Sequence, residues 1–323
     1  MKILYAASES YDSKIFLERF IPNLSDKFIL KIAAYSKFKP KFIPVDYNLD
    51  SCLSFREDSI AKDRSENLHI FMQQVKLFNP DLIISELENF TCYVAINLGI
   101  KYWVIGREVF HISLPKKMKL SYYSFSKKRT KMSKFNETMY YFNNAEKRLA
   151  LSPFGDVLNF ELDKEKNTSF VRPYYFTDKY SELCNHNVVC CLSNLDKANL
   201  KLLPNDSIVF SDEVENIQNL NVKSRFNVDD LGKYIVSCNN YVASSFTHLM
   251  SDGLYNNKFI NYFVDFSSNE SIINHLFLKK FKLGTNLAIN KISNNQILSN
   301  ISLNKNIKYL HEILEEEIKE YKC

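Results

Sequence analysis

The stretch "NYVASSFTHLMSDGLYNNKFINYFV" (240–264) reads as a strand over 240–245, a helix over 246–256 and a second strand over 258–264. An apolar run, a helix-length segment and another apolar run make a strand–helix–strand unit, the building block of a parallel sheet covered by helices. The turn into the helix carries Ser244, Ser245 and Thr247, with His248 next. A helix start of this kind offers unpaired backbone N–H groups and the positive end of a dipole, which suits an anion. Asp252 lies one to two turns inside the same helix.

Working outward, the alternation fills the chain. "KILYAA" (2–7) reads as a strand, "SKIFLERFIPNL" (13–24) as a helix and "FILKIAAY" (28–35) as a strand. Residues 65–78 put Leu68, Phe71, Met72 and Val75 on one helical face. "NPDLIIS" (79–85) is a turn and a buried strand, "FTCYVAINL" (90–98) a helix closed by Gly99, and "KYWVIG" (101–106) a further strand. Another strand is expected near Leu149. After "VRPYYF" (171–176) the pattern restarts, with strands at 187–193, 206–210, 240–245 and 258–264 and helices at 195–203, 228–238, 246–256 and 269–281. "NIKYLHEILEEEIKEY" (306–321) closes the chain as a charged amphipathic helix. The expected division is 1–172 and 173–323, with the last helix packing back on the first domain. Two open α/β sheets in tandem place a ligand crevice between them, at the carboxyl ends of their strands.

With 46% hydrophobic and 24% charged residues the chain has the composition of a folded globular protein, which excludes a disordered one. A net charge of +5 does not by itself call for nucleic acid. Seven cysteines without a Cys-x-x-Cys pair predict buried reduced thiols rather than a disulfide frame or a zinc site. The apolar run before Glu9 is too short for a signal peptide, and none approaches the roughly 18 residues of a membrane span. The expectation is a cytoplasmic protein, peripheral at the inner face of the membrane at most.

Eleven residues after Phe259 comes "NESIIN", with Glu270 at the next helix start and Asn274 one turn later. "SDGLYNNKF" (251–259) followed at this spacing by "ESIINH" (270–275) resembles the donor-site signature of two-domain (GT-B) glycosyltransferases. The resemblance points to the group related to the bacterial enzyme that adds N-acetylglucosamine to the lipid-linked peptidoglycan precursor. That group shows Ser-Glu-Ala-Leu-x-x-Gly-Lys-Pro and then Glu-Gln-x-x-Asn-Ala. Ser251, Leu254, Lys258, Glu270 and Asn274 match without a gap, and Asp252 stands at the glutamate position. "NPDLIISELENFTCYVAINLGIKYWVIG" (79–106) is similar to a second family stretch, with Glu86 and Glu88 at its acidic positions. No glycine survives over 6–14, and Lys14 stands near the position of the family's loop histidine.

The resemblance implies two tandem Rossmann-like parallel-sheet domains (GT-B) with an interdomain cleft. It also implies transfer of a sugar from a nucleotide-diphosphate donor, a UDP-sugar first, with inversion, no cofactor and no metal. Asp252 is then expected to hold the ribose hydroxyls, and Glu270 and Ser271 the donor sugar. Ser193, Ser244, Ser245, Thr247, His248 and Asn274 complete the donor side. Candidates for the base that takes the acceptor's proton are Glu88, Asp12 and Glu86, with Glu9 beside them, while Arg107, Glu108 and His111 follow a strand into the cleft. Arg172 is placed to reach a phosphate from the hinge.

"PKKMKLSYYSFSKKRTKMSKFNE" (115–137) carries eight Lys or Arg, among them Lys116, Lys117, Lys127, Lys128 and Arg129, with aromatics between them. It reads either as a solvated helical face or as a cationic surface for anionic lipid or nucleic acid. The acceptors to weigh are therefore a lipid-linked or envelope glycan and, as the alternative, a hydroxymethylated base of viral DNA. A descendant that binds a nucleotide sugar without turnover is the third reading.

Overall fold

Every strand named below runs parallel to its neighbours, so each connection has to cross over the sheet and both faces are covered. The computed structural model describes residues 1–8, 11–36, 43–50, 61–115, 132–158, 161–174, 188–192, 200–205, 207–211, 220–224, 228–266, 268–287 and 307–320. The basic stretch with Lys116, Lys117, Lys127, Lys128 and Arg129 lies outside them, as do Glu9, Ser193 and most of the helix expected over 195–203.

The first sheet contains β1 (Lys2–Ala6), β2 (Ile29–Ala34), β3 (Tyr47–Asn48), β4 (Leu82–Ser85), β5 (Tyr102–Gly106), β6 (Lys147–Leu151) and β7 (Thr168–Val171) in the order β3-β2-β1-β4-β5-β6-β7. The second contains β8 (Val188–Leu192), β9 (Ile208–Ser211), β10 (Asn221–Ser224), β11 (Asn240–Ser244), β12 (Ile260–Phe263) and β13 (Gly284–Asn286) in the order β10-β9-β8-β11-β12-β13. These are two tandem Rossmann-like sheets, the GT-B architecture. Alternation along the central strands divides the core. Leu4, Ala6, Ile83 and Val104 face one layer, while Ile3, Tyr5, Ile84 and Trp103 face the other.

The helices of the first half are α1 (Tyr11–Phe20), α2 (Ala61–Phe78), α3 (Asn89–Leu98), α4 (Arg107–Ile112), α5 (Met132–Asn144) and α6 (Pro153–Leu158). Those of the second half are α7 (Val228–Ser237), α8 (Thr247–Tyr255), α9 (Asn269–Lys280) and α10 (Leu310–Glu320). The helix expected over 13–24 stops at Phe20 and tightens into a 3₁₀ turn over Ile21–Asn23. Pro22 has no N–H to continue the ladder. Gly99 closes α3 in the left-handed conformation, with φ of 66°. Gly253 lets α8 lie close against β11, because a Cβ there would come within 2.4 Å of the Tyr241 ring.

The final helix returns to the first domain. Leu310 and Leu314 are fully buried with Ile3, Tyr5 and Trp103, and the buried Glu317 binds Lys101 (2.6 Å) and Lys147 (2.5 Å). The crossing segment is held at the same place: Arg172 N donates to Lys308 O (2.9 Å), and the Tyr174 ring packs on Phe16 and Phe20 of α1. Arg172 itself lies over the Tyr309 ring.

Three rings make an apolar contact between the two domains. Phe277 of α9 stacks on Phe154 of α6 (centroids 4.7 Å) and meets Phe110 of α4 (5.6 Å), all of them buried. Phe277→Ala empties the centre of this contact. It is expected to cost about 3–5 kcal/mol, read as a lower unfolding midpoint in denaturant. A loss within about 0.5 kcal/mol, the usual range for a surface site, would show that the rings do not join the domains.

Candidate functional site

In a doubly wound sheet the crevice opens where the chain's winding reverses, beside the carboxyl ends of two neighbouring strands. In the first sheet those strands are β1 and β4. Glu86 follows β4, its backbone N–H bonded to Ala6 O (3.0 Å). Its carboxylate accepts from Tyr5 OH (2.6 Å), Ser8 N (3.2 Å), Ser8 Oγ (3.0 Å) and Ser13 Oγ. The two serine hydroxyls also bond each other at 2.7 Å. Burial raises the Glu86 pKa above the ordinary carboxylate value, against the pull of these hydrogen bonds. Burial, and then the charge of Glu86, raises the Tyr5 phenol well above its own.

Two residues on, Glu88 does a different job. It is the N-cap of α3, accepting from Phe90 N (3.1 Å), Thr91 N (2.7 Å), Thr91 Oγ1 (2.9 Å) and Tyr35 OH (3.1 Å). Leu87 between them has φ of 52°, in the left-handed region that a leucine rarely adopts. That turn sends the Glu86 carboxylate to β1 and the Glu88 carboxylate to the helix. Asp12 sits on α1, but its side chain lies outside the described residues, as do those of Thr247 and His248.

In the second sheet the winding reverses between β8 and β11. Ser244 ends β11 and Phe246 takes the N-cap position of α8, making no side-chain capping bond. Ser245, Ser271 and Asn274 are fully buried and bind one another. Ser245 Oγ contacts Ser271 Oγ, Ser271 Oγ accepts from Asp265 N (2.8 Å), and Asn274 Nδ2 donates to Ser245 O (2.9 Å). These three tie the start of α8 to α9 from within.

Asp252 and Glu270 face the other domain. Arg19, in the last turn of α1, grips Asp252 through both nitrogens (Nη1–Oδ1 3.1 Å, Nη2–Oδ2 3.0 Å). The side chains keep only 16% and 3% of their surface exposed. Arg19 also donates to Tyr174 O (2.6 Å), in the segment crossing between the domains. Arg107, the residue after β5, pairs with Glu270 Oε2 at 2.8 Å. Spacing brought Asp252 and Glu270 to attention as one donor motif. Arg107 was expected in the cleft after its strand, though not against Glu270, while Arg19 escaped because no local pattern points across 233 residues.

Arg172 lies with α10 at the linker. His275 bonds Tyr262 OH (2.9 Å), and its pKa is lowered by burial. Among the described residues no group of three or more His, Cys, Asp and Glu is arranged to hold a metal ion. No helix among them is long and apolar enough to cross a membrane.

The chain matches no protein-family model, and no curated protein matches it. Solved structures do share its fold. The spinosyn forosaminyltransferase SpnP is 13% identical, with 88% of this chain and 84% of that one covered and a TM-score of 0.56. The glycosyltransferase SsfS6 of Streptomyces sp. SF2575 is also 13% identical, over 88% and 87%, with a TM-score of 0.56. The UDP-GlcNAc 2-epimerase of Neisseria meningitidis, bound to UDP-GlcNAc, is 11% identical over 99% and 100%, with a TM-score of 0.55. At such identities the likeness is one of fold.

His111, at the end of α4, gives the stability of the fold a pH dependence. Burial, helped by the Arg107 charge, pushes its pKa from 6.5 down to about 3. The imidazole is therefore neutral when folded and takes a proton near pH 6.5 when unfolded. Stability is full above that pH and is lost as pH falls toward the folded value. The unfolding midpoint is expected to drop by about 2–4 °C on moving two units down from neutral pH. His111→Asn should flatten that slope, and an unchanged slope would assign it to other groups.

Proposed function

We propose that this protein is a glycosyltransferase that moves a sugar from a nucleotide-diphosphate donor, a UDP-sugar first, to an acceptor hydroxyl. One observation carries the reading. The Arg107–Glu270 contact joins the residue after β5 to the first turn after β12, so the carboxyl edges of the two sheets face one another. A shared cleft with Glu86 on one wall and the start of α8 on the other is the arrangement that group transfer between two bound substrates requires.

In this reading Glu86 is the base. The carboxylate takes the proton of the acceptor hydroxyl as that oxygen bonds to the anomeric carbon. The bond from that carbon to the diphosphate breaks, and the diphosphate leaves with the electron pair. A single displacement of this kind inverts the anomeric centre. The leaving charge is met by backbone N–H groups at the start of α8, so no metal is required. Glu86 is preferred to Glu88 because three of its four partners are hydroxyl groups, which can turn to another acceptor, whereas helix-start amides hold Glu88. On the acceptor side, residues 115–137 fit a lipid-linked or envelope glycan at an anionic surface. Binding to anionic vesicles supports that acceptor; DNA binding that weakens steeply with salt supports the alternative.

The engagement of both Asp252 and Glu270 by arginines favours a second reading, a nucleotide-sugar-binding protein without turnover. The test is incubation with UDP-GlcNAc, UDP-glucose and UDP-galactose, reading UDP release and the sugar product by NMR. Transfer to water or an added acceptor is expected; an epimerised sugar or an untouched donor overturns the proposal. Glu86→Gln should lower turnover by about 10²–10⁴ while leaving donor affinity unchanged. The wild-type rate should rise with pH through an inflection above 4.5, because the base acts only when deprotonated and its pKa is raised. A Glu86→Gln protein turning over at the wild-type rate would remove Glu86 from the chemistry.

A further inference from the structure

We propose that Arg19 is an internal competitor of the donor: its guanidinium fills the place on Asp252 that the two ribose hydroxyls of a nucleotide take. The inference rests on the nucleotide-sugar reading above and adds to it how the site is guarded. The argument is one of matching chemistry. A ribose cis-diol presents two O–H donors on adjacent carbons, and a carboxylate accepts both, one on each oxygen. The guanidinium of Arg19 presents two N–H donors in the same fork and engages the Asp252 oxygens in the same one-to-one way, at 3.1 and 3.0 Å. The Asp252 side chain is only 3% exposed, so a nucleotide reaching that carboxylate competes with the arginine for it.

Displacement has a second effect. Arg19 Nη1 also holds Tyr174 O at 2.6 Å, and Tyr174 lies in the chain crossing between the domains, packed on α1 and hydrogen-bonded to His311 of α10. The guanidinium that holds Asp252 thus also holds the linker against the first domain, so moving it bears on both contacts. Arg107 repeats the arrangement at the other prong, where Glu270 is the carboxylate expected at the donor sugar. The arrangement of domains described here is thus self-liganded. Asp252 and Glu270 each carry a cation from the acceptor side, and donor affinity is lowered by the fraction of molecules held in that state. Arg19 acts here as a positioning residue, not a catalytic one.

The experiment is calorimetric titration of UDP and of 2′-deoxy-UDP into the full chain as wild type, Arg19→Met and Arg19→Lys. Arg19→Met removes the competitor but leaves Asp252 without this partner. Arg19→Lys keeps the charge while giving up the two-pronged grip, and circular dichroism melting identifies which variants fold. Folded variants are expected to bind UDP ~10-fold more tightly than wild type. The preference for UDP over 2′-deoxy-UDP should widen, because the gain requires the cis-diol. Folded variants binding UDP at wild-type strength or more weakly overturn the competition alone. So does an equal gain for both nucleotides, since it shows that the cis-diol plays no part. If neither wild type nor variants bind UDP, the nucleotide-sugar reading falls and the competition with it.

Discussion

The grip of Arg19 on Asp252 is the constraint that orders the rest of the molecule. One guanidinium from α1 holds a carboxylate of α8 and a carbonyl of the crossing segment. Three elements far apart in the chain are thereby brought to a single point. A buried ion pair of this kind is a weak source of net stability, since desolvation of both charges offsets much of their attraction. Breaking it is another matter, because the remaining charge is left buried, at a cost of about 3–5 kcal/mol. It joins α1, α8 and the crossing segment at one place, and the stacked rings of Phe154 and Phe277 add buried apolar surface between the same domains.

The same economy shapes the crevice of the first domain. Two glutamates, one residue apart, have opposite work because a left-handed leucine stands between them. Glu88 spends its oxygens on the amides at the start of α3, where a negative charge also suits the helix dipole. Glu86 is turned to the end of β1, where hydroxyl groups of Tyr5, Ser8 and Ser13 converge on it. The environment, not the residue type, gives the two carboxylates different partners.

Much of the fold was legible because parallel strands buried on both faces write themselves as short apolar runs. β1, β4, β5, β8, β11 and β12 fall within the strands expected from those runs. β3, β10 and β13 were not legible, for they are short and lie at or near sheet edges, where little apolar surface marks them. α4 and α6 escaped as well, at six residues each. On the site, motif spacing singled out Asp252, Glu270, Glu86 and Glu88. It put Glu88 first as the base, and only the structure showed that the amides at the start of α3 hold that carboxylate.

The sequence by itself determined the layers: two runs of strand–helix alternation, and the acids that follow β4 and precede or lie within the helices after β11 and β12. These are local properties, set by hydrophobic period and by turn residues over a few positions. Only the tertiary structure decided what those acids touch. Arg19 and Asp252 are separated by 233 residues, and Arg107 meets Glu270 across the two sheets. No local pattern encodes such a meeting, because it depends on how two whole domains pack, the rings of Phe110, Phe154 and Phe277 among their contacts.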